Sequence, residues 1–147
     1  GGERLDGGDG NDRLVAGAGG FDQLVGGNGN DTFVFNALPG FQYQILDFET
    51  TVGEDDTLEI STTALAGWQG NTGVVDPSRF AVTADAASFL GGPDVQLIFD
   101  NDGSNGGGGS LYFDSDGANT ASGRTLLAVL ESGGVIGGLS SDDIRIV

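Results

Sequence analysis

The fold is decided by the stretch Gly26-Gly27-Asn28-Gly29-Asn30-Asp31-Thr32-Phe33-Val34, the last of three near-copies of one nine-residue frame. The other copies span residues 7–15 and 17–25, and the common order is Gly, small, any, Gly, any, Asp, any, apolar, Val. A partial copy precedes them, with Glu3 in the Asp position and Leu5 in the apolar position. A unit this short cannot bury its own apolar residue, so neighbouring copies must stack and place their carboxylates in a row.

The glycines and the aspartate of each copy have the chemistry of a metal-binding turn. Glycine adopts positive φ with no side chain in the way, which lets main-chain carbonyls converge. The Asp that ends each turn points into the same pocket, while Leu14, Leu24 and Phe33 begin short strands that fill the interior. Carbonyl and carboxylate oxygens are ligands of a hard cation, and this frame is typical of calcium-binding parallel β-helix repeats. The frame therefore predicts Ca²⁺ as the cofactor.

The charge of the chain independently favours a bound cation. There are 22 Asp and Glu residues against 5 Lys and Arg, for a formal net charge of -17. Stacked carboxylates repel one another, and a divalent cation between them removes the repulsion and supplies folding free energy. We therefore expect the repeats to be disordered without metal. The alternative is a solvated Gly/Asp linker, but a linker needs no periodic apolar residues.

The composition excludes several classes of function. The chain has no Cys and no His, which excludes disulfides, thiolate metal sites and Ser-His-Asp chemistry, so we expect no enzymatic activity. No apolar run is long enough for a transmembrane helix. The negative charge disfavours nucleic acid and anionic membranes as partners. The chain begins inside a repeat without Met, and we expect it to be a piece of a longer protein.

Two regions follow from the change in composition at residue 35. Residues 1–35 carry the repeats, and residues 36–147 carry short runs rich in β-branched and aromatic residues. Strands are predicted at residues 41–48, 57–61, 80–83, 95–99, 111–113, 125–130 and 144–147. Tight turns are predicted at 101–103 and 116–117, a weak helical segment at 62–69, and a short capped turn at Ser140. The predicted fold class is all-β: a short parallel β-roll capped by a mainly antiparallel β domain.

These features together resemble the RTX (repeats-in-toxin) family. Residues 26–35 look like the last repeat of its calcium β-roll, and residues 45–48 followed by 53–61 are similar to the segment after the roll in serralysin-type proteases and alginate epimerases. Residues 95–100 and 109–117 look like the hairpin of RTX C-terminal domains. The resemblance implies a β-roll, bound Ca²⁺ and export by type I secretion.

The resemblance also implies which residues bind the metal, because in this family a coil takes two repeats. The first site joins Gly8, Gly10 and Asp12 to Gly26, Asn28 and Asp31. The second joins Gly17, Gly19 and Asp22 to Gly1 and Glu3, and departs from the family pattern because Glu3 replaces Asp. The third joins Gly27, Gly29 and Asp31 to Asp47, with Asp56 as a further member. Another departure is the Asp12-to-Asp22 step, which is ten residues instead of nine and predicts a bulge at residues 16–20.

The C-terminus extends the resemblance. Residues 142–147 are similar to the uncleaved secretion signal of the family's protease branch, although Arg145 does not fit, and an ordinary final strand is equally consistent with them. The expected partners are the type I secretion machinery and an upstream passenger domain. The expected location is extracellular and secreted, with association to the cell surface as the alternative. An alternative is a Ca²⁺-dependent adhesion or carbohydrate-binding module that holds a cell-surface glycan.

Two other functional interpretations fit less well. The acidic runs at 100–104 and 114–117 are not EF-hands, because the sixth position of the first is Asn105 and the twelfth of the second is Thr125. The acidic group at Glu49 and residues 54–56 could supply paired catalytic carboxylates, but adjacent acids in a polar loop are usually solvated or metal-bound.

Overall fold

The structure is a computed structural model that describes residues 2–17, 20–37, 43–51, 53–84, 86, 94–101, 108–116, 123–131 and 139–147. These residues form strands, turns and two single-turn 3₁₀ helices, Pro77–Arg79 and Ser141–Asp143, and none of them lies in an α-helix. The predicted all-β class is therefore confirmed. Within this part of the chain, no helix has the length and apolar character needed to cross a membrane.

The strands are numbered in chain order. They are β1 (Arg4–Asp9), β2 (Arg13–Ala16), β3 (Asp22–Asn28), β4 (Thr32–Phe35), β5 (Tyr43–Ile45), β6 (Thr50–Thr51), β7 (Glu54–Asp55), β8 (Thr57–Ile60), β9 (Gly73–Val74), β10 (Phe80–Thr83), β11 (Leu97–Asp100), β12 (Gly109–Asp114), β13 (Arg124–Leu130) and β14 (Ile144–Ile146).

The first strands alternate between two sheets. Sheet A has the order β1-β3-β5-β13-β12-β11-β10, sheet B has the order β2-β4-β8-β14-β9, and β6 and β7 form a separate hairpin. Parallel pairing joins β1 to β3 and β3 to β5 in sheet A, and β2 to β4 and β4 to β8 in sheet B. Each turn in this region therefore carries the chain from one sheet to the other, and successive turns come to lie beside one another.

The register of these strands explains the periodic apolar residues. Leu14, Phe33 and Leu58 are aligned across sheet B, and Leu5, Leu24 and Ile45 are aligned across sheet A. Because alternate residues of a strand face opposite sides, these two rows meet between the sheets. Leu24, Phe33, Ile45 and Leu58 are fully buried. Each such side chain contributes about 1.5–3 kcal/mol on burial, which a single nine-residue copy could not obtain alone.

The strands after residue 36 pair in both senses. Pairing is antiparallel for β11 with β12, β12 with β13 and β14 with β9, but parallel for β10 with β11, β13 with β5 and β14 with β8. The region is therefore mixed, where the sequence predicted a mainly antiparallel cap, because β13 and β14 extend the sheets in the direction of β5 and β8. Both sheets and one continuous core run past residue 35, and the domain boundary there stays a prediction.

Most predicted elements after residue 36 overlap observed strands, namely β5, β8, β10, β11, β12, β13 and β14. The capped turn at Ser140 is also confirmed, since Ser140 and Asp143 form a capping box around Ser141–Asp143. The helical prediction at 62–69 is wrong: residues 62–67 form successive turns, and Gly67 has a φ of +99° that interrupts any helix. The turns predicted at 101–103 and 116–117 extend outside the described residues, as do positions 18 and 19 of the expected bulge.

Candidate metal centre

Two columns of turns stand along the stacked strands. The first column contains the turns that lead into β2, β4 and β8 and end at Asp12, Asp31 and Asp56. The second contains the turns that lead into β1 and β3, with Glu3 and Asp22. In the first column the turns are hydrogen-bonded to each other: Thr32 N–H donates to the Asp12 carbonyl and Thr57 N–H to the Asp31 carbonyl, both at 2.8 Å.

Aspartate side chains join each turn to the one before it. Asp31 Oδ1 accepts the Asp12 N–H at 2.8 Å, and Asp56 Oδ1 accepts the Asp31 N–H at 2.9 Å. The other oxygen of Asp56 accepts the Glu49 N–H at 2.9 Å. In the second column, Asp22 Oδ1 accepts the Glu3 N–H at 3.0 Å. The predicted row of carboxylates is thus a ladder in which Asp22, Asp31 and Asp56 each bind the main chain of the preceding coil.

Three of these carboxylates each carry a second oxygen that lacks a partner. Asp12 Oδ2, Asp22 Oδ2 and Asp31 Oδ2 are buried and accept no hydrogen bond from any described residue. They are the Asp residues of the three repeat copies, so the deficit recurs with the sequence frame. A buried acceptor without a partner costs about 1–3 kcal/mol, and more when it is charged. Such a repeated deficit requires a compensating group.

The first glycine of each copy makes room for this oxygen. An ideal Cβ on Gly7 would lie 3.0 Å from Asp12 Oδ2, and one on Gly26 would occupy the place of Asp31 Oδ2. In the second column the corresponding separation, between Gly17 and Asp22 Oδ2, is 3.8 Å. The carboxylate therefore requires Gly at position 26 and leaves little room for a Cβ at position 7, whereas the contact at Gly17 is an ordinary van der Waals distance.

Glycines at the second and fourth positions bring carbonyl oxygens into the first column. Gly8, Gly10, Gly27 and Gly29 have φ values of +93°, +119°, +97° and +126°. Gly8 is aligned with Gly27, and a Cβ on Gly27 or Gly29 would collide with the carbonyl oxygen of Gly8 or Gly10. The structure thus brings together the two turns of the first predicted site. One member, the Asn28 carbonyl, already accepts the Gly10 N–H at 2.8 Å.

Asp47 lies over the turn that begins at Gly26. Its two oxygens accept the N–H groups of Gly26 and Gly27, each at 2.9 Å. Asp31 Oδ2, which belongs to the same turn as Gly26, and Asp47 Oδ1, which belongs to the following coil, therefore approach the same glycine. This arrangement joins Asp47 to Asp31, as the third predicted site requires.

The second column is less complete. Gly1 and Gly19 lie outside the described residues, and Glu3 takes part through its main chain while the residue is exposed. The Gly17 carbonyl accepts a hydrogen bond from the buried Tyr43 hydroxyl at 3.0 Å. Burial, followed by the charge of Asp22, raises the pKa of Tyr43 above its usual value. Tyr43 is therefore a neutral donor that fixes the turn before Asp22.

The electrostatics of the first column disfavour negative charge. Burial raises the pKa of Asp31; the Asp12 N–H opposes this effect, and the charges of Asp12 and Asp47 reinforce it. Burial likewise raises the pKa of Asp56 to about 6, although the N–H groups of Asp31 and Glu49 lower it. The pKa of Glu49 is raised first by a hydrogen bond with the Glu54 carboxyl. A cation in the column would reverse these effects.

The described side chains alone do not form a binding site for a hard cation, and main-chain carbonyl oxygens must supply the remaining ligands. Within the residues that the structure describes, no three His, Cys, Asp or Glu side chains form a group able to hold a metal. The sites implied by the sequence use few carboxylates each, and carbonyl oxygens supply the other ligands. The oxygen-only turns and the unpartnered Asp oxygens meet this requirement, which suits Ca²⁺.

The sequence did not indicate that Asp56 continues the ladder by accepting the Asp31 N–H. The ladder step from Asp12 to Asp31 spans 19 residues, but the step from Asp31 to Asp56 spans 25. The β6–β7 hairpin, within residues 50–55, accounts for the longer step and hides Asp56 from the repeat period. The adjoining acids Glu54 and Asp55 are the signal that could have pointed to it. Tyr43 had no such signal, because its role depends on the β5 register.

Comparisons with protein-family models, with curated proteins and with solved structures gave no match. The resemblance to the RTX family therefore rests on the quoted residues alone.

Proposed function

We propose that this chain is a calcium-binding RTX-type module. In this proposal the strands β1 to β5 and β8 form a short parallel β-roll, and Ca²⁺ binds between neighbouring turns of its two columns. The supporting observation is the set of buried, unpartnered oxygens on Asp12, Asp22 and Asp31, one in each repeat copy. When bound, Ca²⁺ supplies the positive charge that these acidic turns lack.

The first column would provide the better sites. Asp12 and Asp31, with the carbonyls of Gly8, Gly10, Gly26 and Asn28, would form one site. Asp31 and Asp47, with Gly27, Gly29 and Asp56, would form the next, so Asp31 is shared between them. The second column would bind through Asp22 and Gly17, with Gly1, Gly19 and Glu3 as the remaining members.

The module would act as a folding switch during export. Where Ca²⁺ is scarce, repulsion within the acidic columns would keep the repeats unfolded and compatible with a type I exporter. Outside the cell, binding would drive the disorder-to-order transition, since a ligand that binds only the folded state stabilises it. Residues 142–147 would carry the secretion signal, and the partners would be the exporter and an upstream passenger domain. The proposed location is therefore extracellular, and the proposed role is not enzymatic.

Circular dichroism and calorimetry on the same sample would test this proposal. We expect β content to rise when Ca²⁺ is added to chelated protein and to fall again with chelator, while Mg²⁺ at the same concentration has little effect. Calorimetry should give saturable Ca²⁺ binding. Equal β content with Ca²⁺ and with chelator would contradict the folding switch, and absence of saturable binding would contradict the metal sites.

A Ca²⁺-dependent carbohydrate-binding module is the second candidate function. The observation that favours it is a polar cavity on the outer face of sheet B, bordered by Asn30, Asp31 and Arg145. This cavity is separate from the buried oxygens of the columns, although Asp31 borders both.

A further inference from the structure

A polar cavity of about 330 Å³ lies on the outer face of sheet B, beside the first column. On one side are Asn30 and Thr32, in and after the turn that leads into β4. The floor continues over β7 and β8 with Asp55, Thr57 and Glu59, and the far side is Arg145 of β14. All of these side chains are polar, so the cavity is suited to hydrogen bonding and not to an apolar ligand.

The strand register sets the positions of these groups. Thr32 is aligned with Thr57, and Glu59 is aligned with Arg145. Their neighbours Phe33 and Leu58 face the core, so the polar residues face outwards together. On the turn side, the Asp55 N–H donates to Asn30 Oδ1 at 3.3 Å. The cavity is therefore lined by three pairs of polar groups. They are the Asn30 amide with the Asp55 carboxylate, the hydroxyls of Thr32 and Thr57, and the Glu59 carboxylate with the Arg145 guanidinium.

One end of the cavity is held by an ion pair. Arg13 Nη2 of β2 reaches Glu59 Oε2 of β8 at 2.6 Å, and β4 lies between these strands. The ion pair therefore spans β4 on the outer face of sheet B, the strand on which Val34 is fully buried. Glu59 is thus positioned by Arg13.

Arg145 is the only arginine without a described partner. Arg4, Arg13 and Arg124 form ion pairs, and Arg79 lies over the Trp68 ring. Within the part of the chain that the structure describes, Arg145 has no ion pair, hydrogen bond or ring contact, although it stands beside Glu59 in the register. In a chain with a net charge of -17, a guanidinium that no described residue engages at a cavity is available for a ligand.

The lining selects the chemical class of the ligand. Nucleic acid is disfavoured by the charge, and a peptide would need an apolar anchor that these side chains do not provide. An acidic sugar would meet the carboxylates of Asp55 and Glu59 against one unpaired arginine. A neutral sugar can donate its hydroxyls to the carboxylates and accept from Arg145, Asn30 and the two threonines. We infer that this cavity binds one uncharged pyranose residue of a glycan.

This inference deepens the carbohydrate-binding candidate. It rests on the proposed calcium module in one respect: Ca²⁺ is expected to order β4 and Asp31, which border the cavity. The test is calorimetry and ligand-observed NMR on Ca²⁺-loaded protein, with glucose, galactose and mannose as probes and their uronic acids in parallel. We expect saturable, millimolar binding of at least one neutral sugar. No binding by any sugar, or tighter binding of a uronic acid than of its neutral form, would overturn the inference.

Two substitutions in the cavity test whether the sugar binds there. Arg145→Met should weaken binding about tenfold and Thr57→Val about threefold, because each removes hydrogen-bonding groups at similar volume. The matched control is Arg4→Met, which removes the same charge from the outer face of sheet A and should leave binding unchanged. Circular dichroism with Ca²⁺ verifies the fold of each variant and reports separately on the calcium module. Wild-type affinity in both cavity variants would refute the location.

Discussion

Asp31→Asn should change the stability of the protein in opposite directions with and without Ca²⁺. The substitution keeps the size of the side chain and an oxygen that can accept the Asp12 N–H, but it removes the charge. Asp31 is 1% exposed and has one oxygen without a partner. It is also the one carboxylate shared by two proposed sites, so its loss is expected to have the largest effect on binding.

The metal-free magnitude follows from two opposing effects. A hydrogen bond to a charged acceptor contributes about 1 kcal/mol more than one to a neutral acceptor, and the substitution loses that difference. Against this, it removes a buried charge whose unpartnered oxygen costs about 1–3 kcal/mol. Burial ranks above the hydrogen bond among the causes that shift the pKa of Asp31, so the relief is the larger effect. We expect metal-free stabilisation of about 1 kcal/mol.

The Ca²⁺-loaded magnitude has the opposite sign. Removing an outer-shell partner of a metal commonly costs 10–100-fold in affinity, and a direct shared ligand should cost at least about 100-fold, or about 3 kcal/mol. Thermal melts in Ca²⁺ and in chelator, with calorimetry for affinity, measure both effects. The melt in chelator requires only that some folded structure is present without metal at low temperature.

Asp6→Asn is the matched control for this experiment. It makes the same charge change on β1, but the Asp6 side chain is 59% exposed and interacts only weakly with Arg4 at 3.7 Å. We expect little change in either condition. The reasoning fails if Asp31→Asn destabilises the chelated and loaded forms equally, since the side chain would then act only through its hydrogen bond. It also fails if Asp6→Asn reduces affinity as strongly.

Three further predictions concern the ladder and the last strand. In chelator, lowering the pH from about 7.5 to 5 should increase β content. The folded pKa of Asp56 is about 6 against an ordinary value of 3.8, so folding takes up a proton and stability rises as pH falls, by about 1 kcal/mol over this interval. Circular dichroism against pH checks this, and a loss of structure on acidification would contradict it. Gly26→Ala should displace the Asp31 carboxylate, lowering stability by about 1–3 kcal/mol and weakening Ca²⁺ binding. Gly53→Ala has open space at its Cβ but a φ of +105°, so it should lower stability through backbone strain and leave Ca²⁺ affinity unchanged in calorimetry. Carboxypeptidase should remove the last residues of chelated protein and spare the Ca²⁺-loaded form, because Ile144 and Ile146 are buried and β14 lies between β8 and β9; equal digestion would show that β14 does not depend on the metal.

The sequence predicted most strands because their signals are local. Leu14 and Phe33 recur at the repeat spacing and are aligned in sheet B, and the largely apolar run at residues 125–130 lies within β13. It did not predict β6, β7 and β9, which are two residues each and exist through their partners. The helical signal at 62–69 produced only turns with three-residue hydrogen bonds, such as Leu65 N–H to the Thr62 carbonyl, and Gly67 with its φ of +99° ends them.

The sequence predicted the residues of the candidate site that lie inside the repeat copies, but not the roles of those that lie after the copies. The glycine positions and the Asp of each copy have physical roles that follow from the frame. The contributions of Tyr43 and Asp56 depend on tertiary register and on a hairpin insertion, neither of which has a periodic signature. The identification of Asp47 came from the family resemblance, and its hydrogen bonds to Gly26 and Gly27 supply a physical reason for its position.

The ladder has a direction, and this direction bears on how the repeats become ordered. Asp22, Asp31 and Asp56 each accept an N–H from the coil before them in the chain. A coil is therefore held by a carboxylate of the following coil, and Asp56 holds Asp31 from β8, which is itself paired to β14. An ordered strand lowers the entropy cost of ordering its neighbour, and β5 and β8 pair with β13 and β14. The C-terminal strands are therefore the natural starting point, and order should pass from them towards Asp12.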